Sequence, residues 1–132
     1  MHFFQLLYQY NDWGLLALRL ALAVIFIVHG KGKFAMWKAG ATAPMLGLMK
    51  FLAFAETLGG IAMFFGFLTH FAAVGLGIVM LGALRFKTMV WKMPFSAHDK
   101  TGWEFDLMIL AACVALLISG PGSVSLDAVW GL

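Results

Sequence analysis

The chain has 132 residues, of which 63% are hydrophobic and only 11% are charged. Soluble domains average roughly 45–50% apolar and about 25% charged residues, and a soluble bundle this short has too much surface to keep so many side chains dry. The mean hydropathy of +0.94 therefore predicts an all-α integral membrane protein, because lipid-facing residues can stay apolar. The length allows one domain, residues 1–132.

The cysteine content bears on redox chemistry, and the N-terminal sequence bears on whether the first apolar stretch is retained. Cys113 is the single cysteine, so the chain has no internal disulfide or Cys-x-x-Cys pair, which argues against thiol–disulfide chemistry by this chain alone. The first basic residue is Arg19, so the basic region of a cleaved signal peptide is missing. We expect the first apolar stretch to be a permanent helix.

Four apolar stretches approach the roughly 17–25 residues that a helix needs to cross about 30 Å of hydrocarbon. Asn11 and Asp12 are available as N-cap residues for the first, and Gly120-Pro121-Gly122 terminates the fourth. No alternation typical of strands competes with this pattern. The sequence predicts a four-helix bundle with spans at approximately residues 13–30, 46–67, 71–86 and 103–119.

Basic residues orient the predicted bundle. Eight of the nine fall in or beside two loops on one side: Lys31, Lys33, Lys38, Lys50, Arg85, Lys87, Lys92 and Lys100. The positive-inside rule places these loops in the cytoplasm and both termini on the other side, which explains the net charge of +3 without nucleic-acid binding. We expect the loops, residues 31–46 and 87–102, to be interfacial, either covering helix ends or capping a pocket.

Two ionisable residues, Arg19 and Glu56, lie well inside predicted spans. Charged groups in a membrane are costly and usually have a partner inside the bundle. Counted from the span ends, the two residues come out at similar depth, which predicts a buried ion pair that either fixes helix register or forms part of a ligand site. Small residues near Glu56 and in the last two spans predict the inward helix faces: Ala53, Gly59, Gly60, Ala72, Gly75, Gly82, Ala111 and Ala115.

A second polar layer is predicted at the cytoplasmic span ends. It comprises His29, Lys33, Arg85, Lys87, Glu104 and Asp106. The carboxylate of Glu104 or Asp106 can stabilise the N-terminus of the fourth helix through the helix dipole. His29 can donate a hydrogen bond to a carboxylate, contact a quinone carbonyl, ligate a metal or have a purely structural role. The pattern contains no metal-ligand cluster, catalytic triad or nucleotide-binding fingerprint, so we expect no metal site.

Three segments resemble the DoxX family. They are Arg19-Leu20-Ala21-Leu22 through Phe26 to Phe34, Glu56-Thr57-Leu58-Gly59-Gly60 with Phe65 to Thr69, and Trp103-Glu104 with Gly120 to Asp127. The resemblance implies a four-helix, multi-pass protein of the inner (plasma) membrane of a bacterium or archaeon. It also implies a link to quinone-dependent oxidoreductases, with which family members are associated. This chain lacks the cysteine pair of the thiol-handling branch.

The resemblance leaves two functions open. The first is an accessory subunit of a membrane electron-transfer complex, which exposes an apolar face to other membrane subunits or to a second copy. The second is a self-contained binder, a quinone-dependent oxidoreductase or a transporter, with a cavity lined by Arg19, His29 and Glu56. Carried over by motif, the candidate ligand-binding residues are Arg19, His29, Lys33, Glu56 and Glu104. We expect no intrinsic cofactor, with a quinone or a lipid as the bound molecule.

Overall fold

The computed structural model describes residues 2–38 and 43–132, and the side chains of residues 4–38 and 46–132. Those residues form helices and connections without a strand, which confirms the all-α prediction. The helices in that part of the chain are α1 (His2–Tyr8), α2 (Asn11–Lys38), α3 (Ala43–Phe65), α4 (Thr69–Arg85), a π-helix (Phe86–Val90), α5 (Trp103–Ser119) and α6 (Leu126–Trp130).

Three of the described segments are long and apolar enough to cross a membrane: α2, residues 46–65 of α3, and α4 together with the π-helix. Their outer faces carry large apolar side chains such as Phe51 and Ile78, which are 66% and 63% exposed. A surface of this kind suits lipid, so the chain is a membrane protein. Helix α5 has 17 residues and is about 26 Å long at 1.5 Å per residue, slightly short of a full span.

Helices α2 and α3 pack closely through glycines. A Cβ on Gly30 would lie 2.1 Å from Thr57 Oγ1, and a Cβ on Gly60 would lie 3.1 Å from the Ala23 carbonyl oxygen. Only hydrogen fits at these positions, which is how membrane helices bring their backbones together. The prediction that Gly60 marks an inward face is therefore confirmed.

Four of the five small residues predicted to face inward in α4 and α5 do not: Gly75, Gly82, Ala111 and Ala115 are exposed. Ala72 is partly buried and packs against the core, as predicted. That core includes Ala73, Leu76, Met80, Ile109, Cys113 and Leu116. A small residue identifies an interface only where two helices meet, and on α4 that face carries Gly77, where an added Cβ would lie 3.8 Å from Cys113 Cβ of α5.

The two predicted loops differ from each other. Helix α2 continues to Lys38, so the first part of the segment 31–46 is helical, and Trp37 contacts Lys50 of α3, whose Nζ lies 4.4 Å from the ring centroid. Residues 39–42 of that segment lie outside the described residues. The second loop starts in the π-helix and folds back at Gly102, where a Cβ would lie 2.0 Å from the Phe95 carbonyl oxygen.

The C-terminal segment, residues 120–132, folds over the α3–α4 turn, and we call this end of the bundle the tail end. The Asp127 carboxylate accepts hydrogen bonds from the backbone N–H groups of Leu68 (2.6 Å) and Thr69 (2.8 Å) at the start of α4. A carboxylate there satisfies otherwise unpaired N–H groups and favours the positive end of the helix dipole. Ser125 caps α6 by accepting from Ala128 N–H at 3.1 Å. These bonds fix the tail to the bundle.

Candidate functional site

A cavity of about 420 Å³ lies between α3 and α4 at the end of the bundle opposite the tail. We call this end the pocket end. Apolar side chains line most of the cavity, among them Leu48, Phe51, Ile78, Val79 and Phe86. The ionisable residues that line it are His29, Lys33, Glu56, Lys87 and Asp106. The cavity therefore combines apolar walls with one polar wall.

The first pair in the polar wall joins α2 to α3. Lys33 Nζ lies 2.6 Å from Glu56 Oε2, and the Glu56 side chain is only 2% exposed. The glycine contacts between α2 and α3 set this register, because they place Glu56 close to the level of His29, one turn before Lys33. The Lys33 side chain retains 21% exposure, so the ammonium reaches the cavity while it neutralises the carboxylate.

A second pair joins the π-helix to α5. Lys87 Nζ lies 2.5 Å from Asp106 Oδ2, and the Asp106 side chain is 6% exposed. Asp106 is in the first turn of α5, where the helix dipole also favours a negative charge. Lys87 belongs to the π-helical turn, a rare helix type that occurs frequently at functional sites.

His29 completes the polar wall. Its ring packs against Phe105 of α5 with 5.9 Å between the ring centroids. The side chain lines the cavity, and its nitrogens have no hydrogen-bond partner within the described part of the chain. His29 can therefore donate or accept a hydrogen bond toward a bound molecule.

Arg19 lies at the tail end, so the predicted Arg19–Glu56 ion pair is wrong. The Arg19 side chain is fully buried, Nη2 donates to the Val124 carbonyl oxygen, and Asp127 is the carboxylate that attracts it electrostatically. Gly66, at a φ of 64°, makes room for the guanidinium: a Cβ there would lie 1.7 Å from Arg19 Nη1. Arg19 thus ties α2 to the tail.

The register of α2 against α3 explains the error. Glu56 is level with His29, and ten residues of α2 separate His29 from Arg19, which is about 15 Å along the helix. Counting depth from the ends of the apolar stretches placed Arg19 and Glu56 too close together, because α2 continues eight residues beyond Gly30.

Glu104 also lies outside the cavity lining. Its Oε1 accepts a hydrogen bond from Ser96 Oγ at 2.9 Å, and its backbone N–H donates to the Phe95 carbonyl oxygen at 3.1 Å. These bonds hold the loop before α5 in place. Of the five candidate residues, the structure brings His29, Lys33 and Glu56 together and separates Arg19 and Glu104 from them.

Lys87 and Asp106 line the cavity but are missing from the five residues chosen by motif. Both belong to the second polar layer predicted from the sequence. Asp106 shares a helix face with Ile109 and Cys113, three and seven residues later and both buried, but α5 is apolar on every face after Asp106, so the spacing alone did not identify that face. Glu104 does not share that face.

The polar wall supplies hydrogen-bond donors and sites for proton transfer. Each lysine ammonium has three N–H donors, and Lys33 uses one of them on Glu56. Among the described residues, no group of three or more His, Cys, Asp or Glu side chains is arranged to hold a metal ion. The chemistry open to these side chains is therefore recognition of polar oxygens and movement of protons beside an apolar chamber.

Comparisons with known proteins identify the family of the chain. The DoxX family model matches residues 14–91, which include His29, Lys33, Glu56 and Lys87. "Putative oxidoreductase CatD" of Bacillus subtilis (strain 168) is 32% identical over 119 residues, covering 86% of this chain and 84% of the relative. No solved structure matches the chain.

Two further relatives come from Escherichia coli (strain K12). "Inner membrane protein YqjF" is 32% identical over 128 residues, covering 89% of this chain and 92% of the relative. "Inner membrane protein YphA" is 31% identical over 135 residues, covering 90% and 96%. Together with the apolar helices, these relatives support a location in the inner membrane. Since the family model covers more than half of the chain and these relatives align over nearly all of it, the protein belongs to the DoxX family.

Proposed function

We propose that the protein binds a lipid-soluble molecule of the quinone class in the cavity at the pocket end and serves a membrane oxidoreductase system. The observation that carries this proposal is the cavity itself, about 420 Å³ with apolar walls and two buried ion pairs beside His29. Ligand sites typically have this composition, mostly apolar with a few convergent polar groups.

A quinone suits both parts of the cavity. Its carbonyl oxygens accept hydrogen bonds from Lys33, Lys87 or His29, and its ring lies against the apolar walls. The carboxylates of Glu56 and Asp106 and the ring of His29 are groups that can exchange protons with a bound molecule. The name of the Bacillus subtilis relative, an oxidoreductase, is consistent with this assignment.

The cavity favours a self-contained binder over an accessory subunit. A subunit that only holds a complex together needs an apolar contact face, whereas a 420 Å³ cavity with paired charges has no role in such contact. A second copy or other membrane subunits remain compatible with the binder, because the lipid-facing surface is apolar on several sides.

We further propose four spans, with α5 as the fourth and both termini outside the cytoplasm. The support is the placement of Lys33, Lys50 and Lys87 at the pocket end, which the positive-inside rule assigns to the cytoplasm. A cysteine at Lys38 or His98 should react with an impermeant maleimide only from the cytoplasm, and one at Leu132 only from outside. Reaction of Lys38 and Leu132 positions from the same side would overturn this topology.

Quinone binding can be measured through Trp91, which lines the cavity. Protein in lipid nanodiscs is titrated with a decyl-tailed benzoquinone, and quenching of tryptophan fluorescence is compared with that of Trp91→Phe. Glu56→Gln should weaken binding roughly 10–100-fold, because the Lys33 ammonium loses the carboxylate that positions it, and its hydrogen bond to the quinone, which as a charged-group bond contributes about 1.5–3 kcal/mol, is then misplaced. Glu104→Gln, a carboxylate outside the cavity, is the matched control and should bind normally. Equal binding by both variants would contradict the proposal.

A further inference from the structure

The cavity also indicates which kind of lipid-soluble molecule it accepts and how that molecule enters. We propose that the ligand has an uncharged polar head, and that its apolar tail leaves the cavity sideways between α3 and α4, past Gly82, into the hydrocarbon of the membrane. The inference rests on the proposed function and deepens it by naming the ligand class and its route.

The charges of the polar wall are already balanced. Lys33 is neutralised by Glu56 and Lys87 by Asp106, at 2.6 Å and 2.5 Å, and both carboxylates are nearly buried. A charged ligand head would have to displace one partner and leave it unpaired, or lose its own hydration beside a neutral pair, and both are costly. An uncharged carbonyl or hydroxyl oxygen accepts from the unused lysine N–H groups and leaves both pairs intact.

The cavity opens toward lipid through the gap between α3 and α4. Helix α3 packs chiefly on α2, and α4 packs chiefly on α5, so the two central helices separate at the pocket end. Residues from both sides of the gap line the cavity and are exposed at the surface: Phe51 on α3 (66%), Ile78 on α4 (63%) and Phe86 beyond it (42%). A tail in this gap keeps its apolar contacts with both protein and lipid.

Gly82 has no side chain that could narrow this opening. It is exposed, it lines the cavity, and a Cβ built on it meets no heavy atom within 4 Å. Gly75 has the same exposure and the same open surroundings, and it lies seven residues earlier on nearly the same face of α4, away from the cavity. Phenylalanine at position 82 should block the opening, while phenylalanine at position 75 should face lipid.

The experiment uses the full chain in nanodiscs with three probes. They are a decyl-tailed benzoquinone, the same ring without the tail, and a decyl-tailed benzenesulfonate, which carries a permanent negative charge. Gly82→Phe should weaken binding of the tailed quinone at least tenfold and leave the tailless ring within twofold of the unaltered protein. Gly75→Phe should bind both quinones normally, and the sulfonate should bind the unaltered protein at least tenfold more weakly than the tailed quinone.

The outcomes separate this inference from the proposed function. If the unaltered protein binds the tailed quinone but Gly82→Phe binds it equally well, or the sulfonate binds as tightly, the inference is wrong and quinone binding stands. If the unaltered protein binds neither quinone, both proposals fail. Gly82→Leu, a smaller obstruction, provides the same comparison with an intermediate expected loss should the phenylalanine variant fold poorly.

Discussion

At the pocket end, two buried carboxylates are paired with lysines that also line an open cavity. At the tail end, Arg19 is buried under the C-terminal segment, and Asp127 is a buried residue of that segment. The tail-end groups are enclosed by the fold: the Asp127 carboxylate accepts from two N–H groups at the α4 start, and Arg19 Nη2 donates to the Val124 carbonyl oxygen. Arg19 Nε and Nη1 have no hydrogen-bond partner within the described residues, but both are buried and face no cavity wall. The pocket-end lysines keep donors free for a ligand.

The contrast extends to the apolar surfaces of the two ends. A groove of about 510 Å³ lies at the tail end between α3, α4 and α6, and its lining residues, which include Leu58, Phe71 and Trp130, have no ionisable side chain. The cavity at the pocket end is slightly smaller but has five ionisable residues in its wall. Size alone therefore does not identify a site; the convergence of polar groups does. We assign binding to the pocket end and structural support to the tail end.

The largest expected effect is on stability at the tail end. Arg19→Ala leaves a cavity where a large, fully buried side chain stood and removes the link to Val124, so the free energy of unfolding should fall by about 3–5 kcal/mol. Thermal unfolding in a mild detergent measures this loss. Arg85→Ala, which removes an exposed arginine, should change stability by less than about 0.5 kcal/mol. The two variants should show similar losses only if Arg19 has no structural role.

A smaller loss is expected for Glu56→Gln at the pocket end. The Lys33 side chain is 21% exposed and partly solvated, so the loss should be about 1–3 kcal/mol. Lys33→Met combined with Glu56→Gln should recover much of that stability, because no unpaired ammonium remains, but should not recover quinone binding. If the double variant recovered both stability and quinone binding, the Lys33–Glu56 pair would have a structural role only.

The distance between the two ends gives a third test. Arg19 and Glu56 are separated by about 15 Å along the bundle, so their effects on stability should add within about 0.5 kcal/mol in the double variant. A double-mutant cycle on unfolding free energies measures the coupling. A coupling energy above about 1 kcal/mol would indicate direct contact between Arg19 and Glu56, which the structure excludes.

Alanine at two glycine positions, Gly66 and Gly75, should change stability in opposite directions. Gly66→Ala places a side chain at a positive φ and against Arg19, so it should cost at least about 1–2 kcal/mol. Gly75→Ala, within a helix and in open space, should stabilise the protein by up to about 1 kcal/mol. Losses of equal size at both positions would show that the close fit around Arg19 does not matter.

Much of the fold was predictable from the sequence because apolar stretches of membrane length have few alternatives to helices. The inward positions predicted for Gly75, Gly82, Ala111 and Ala115 were wrong for a related reason. In a membrane both faces of a helix are apolar, so hydrophobic periodicity does not distinguish the face toward lipid from the face toward protein. Gly82 is an example, since its exposed position looks the same in sequence as the buried position of Gly60.

The site was predictable in part. His29, Lys33 and Glu56 stood out because polar residues in apolar stretches are rare and need partners. Their pairing was not predictable, since it depends on helix register, and a shift of ten residues exchanges Arg19 for His29 opposite Glu56. The partner of Arg19 lies in a segment more than a hundred residues later, whose fold over the bundle follows from tertiary contacts rather than local pattern.

The most direct test of the central claim is to locate the bound molecule. A decyl-tailed benzoquinone carrying a diazirine on its ring is photolysed with the protein in nanodiscs, and the labelled positions are identified by mass spectrometry. The assignment of binding to the pocket end predicts labels on residues 48–56 and 78–91, with competition by unlabelled quinone. Competed labels on residues 58–72 and 126–130, around the tail-end groove, would contradict it.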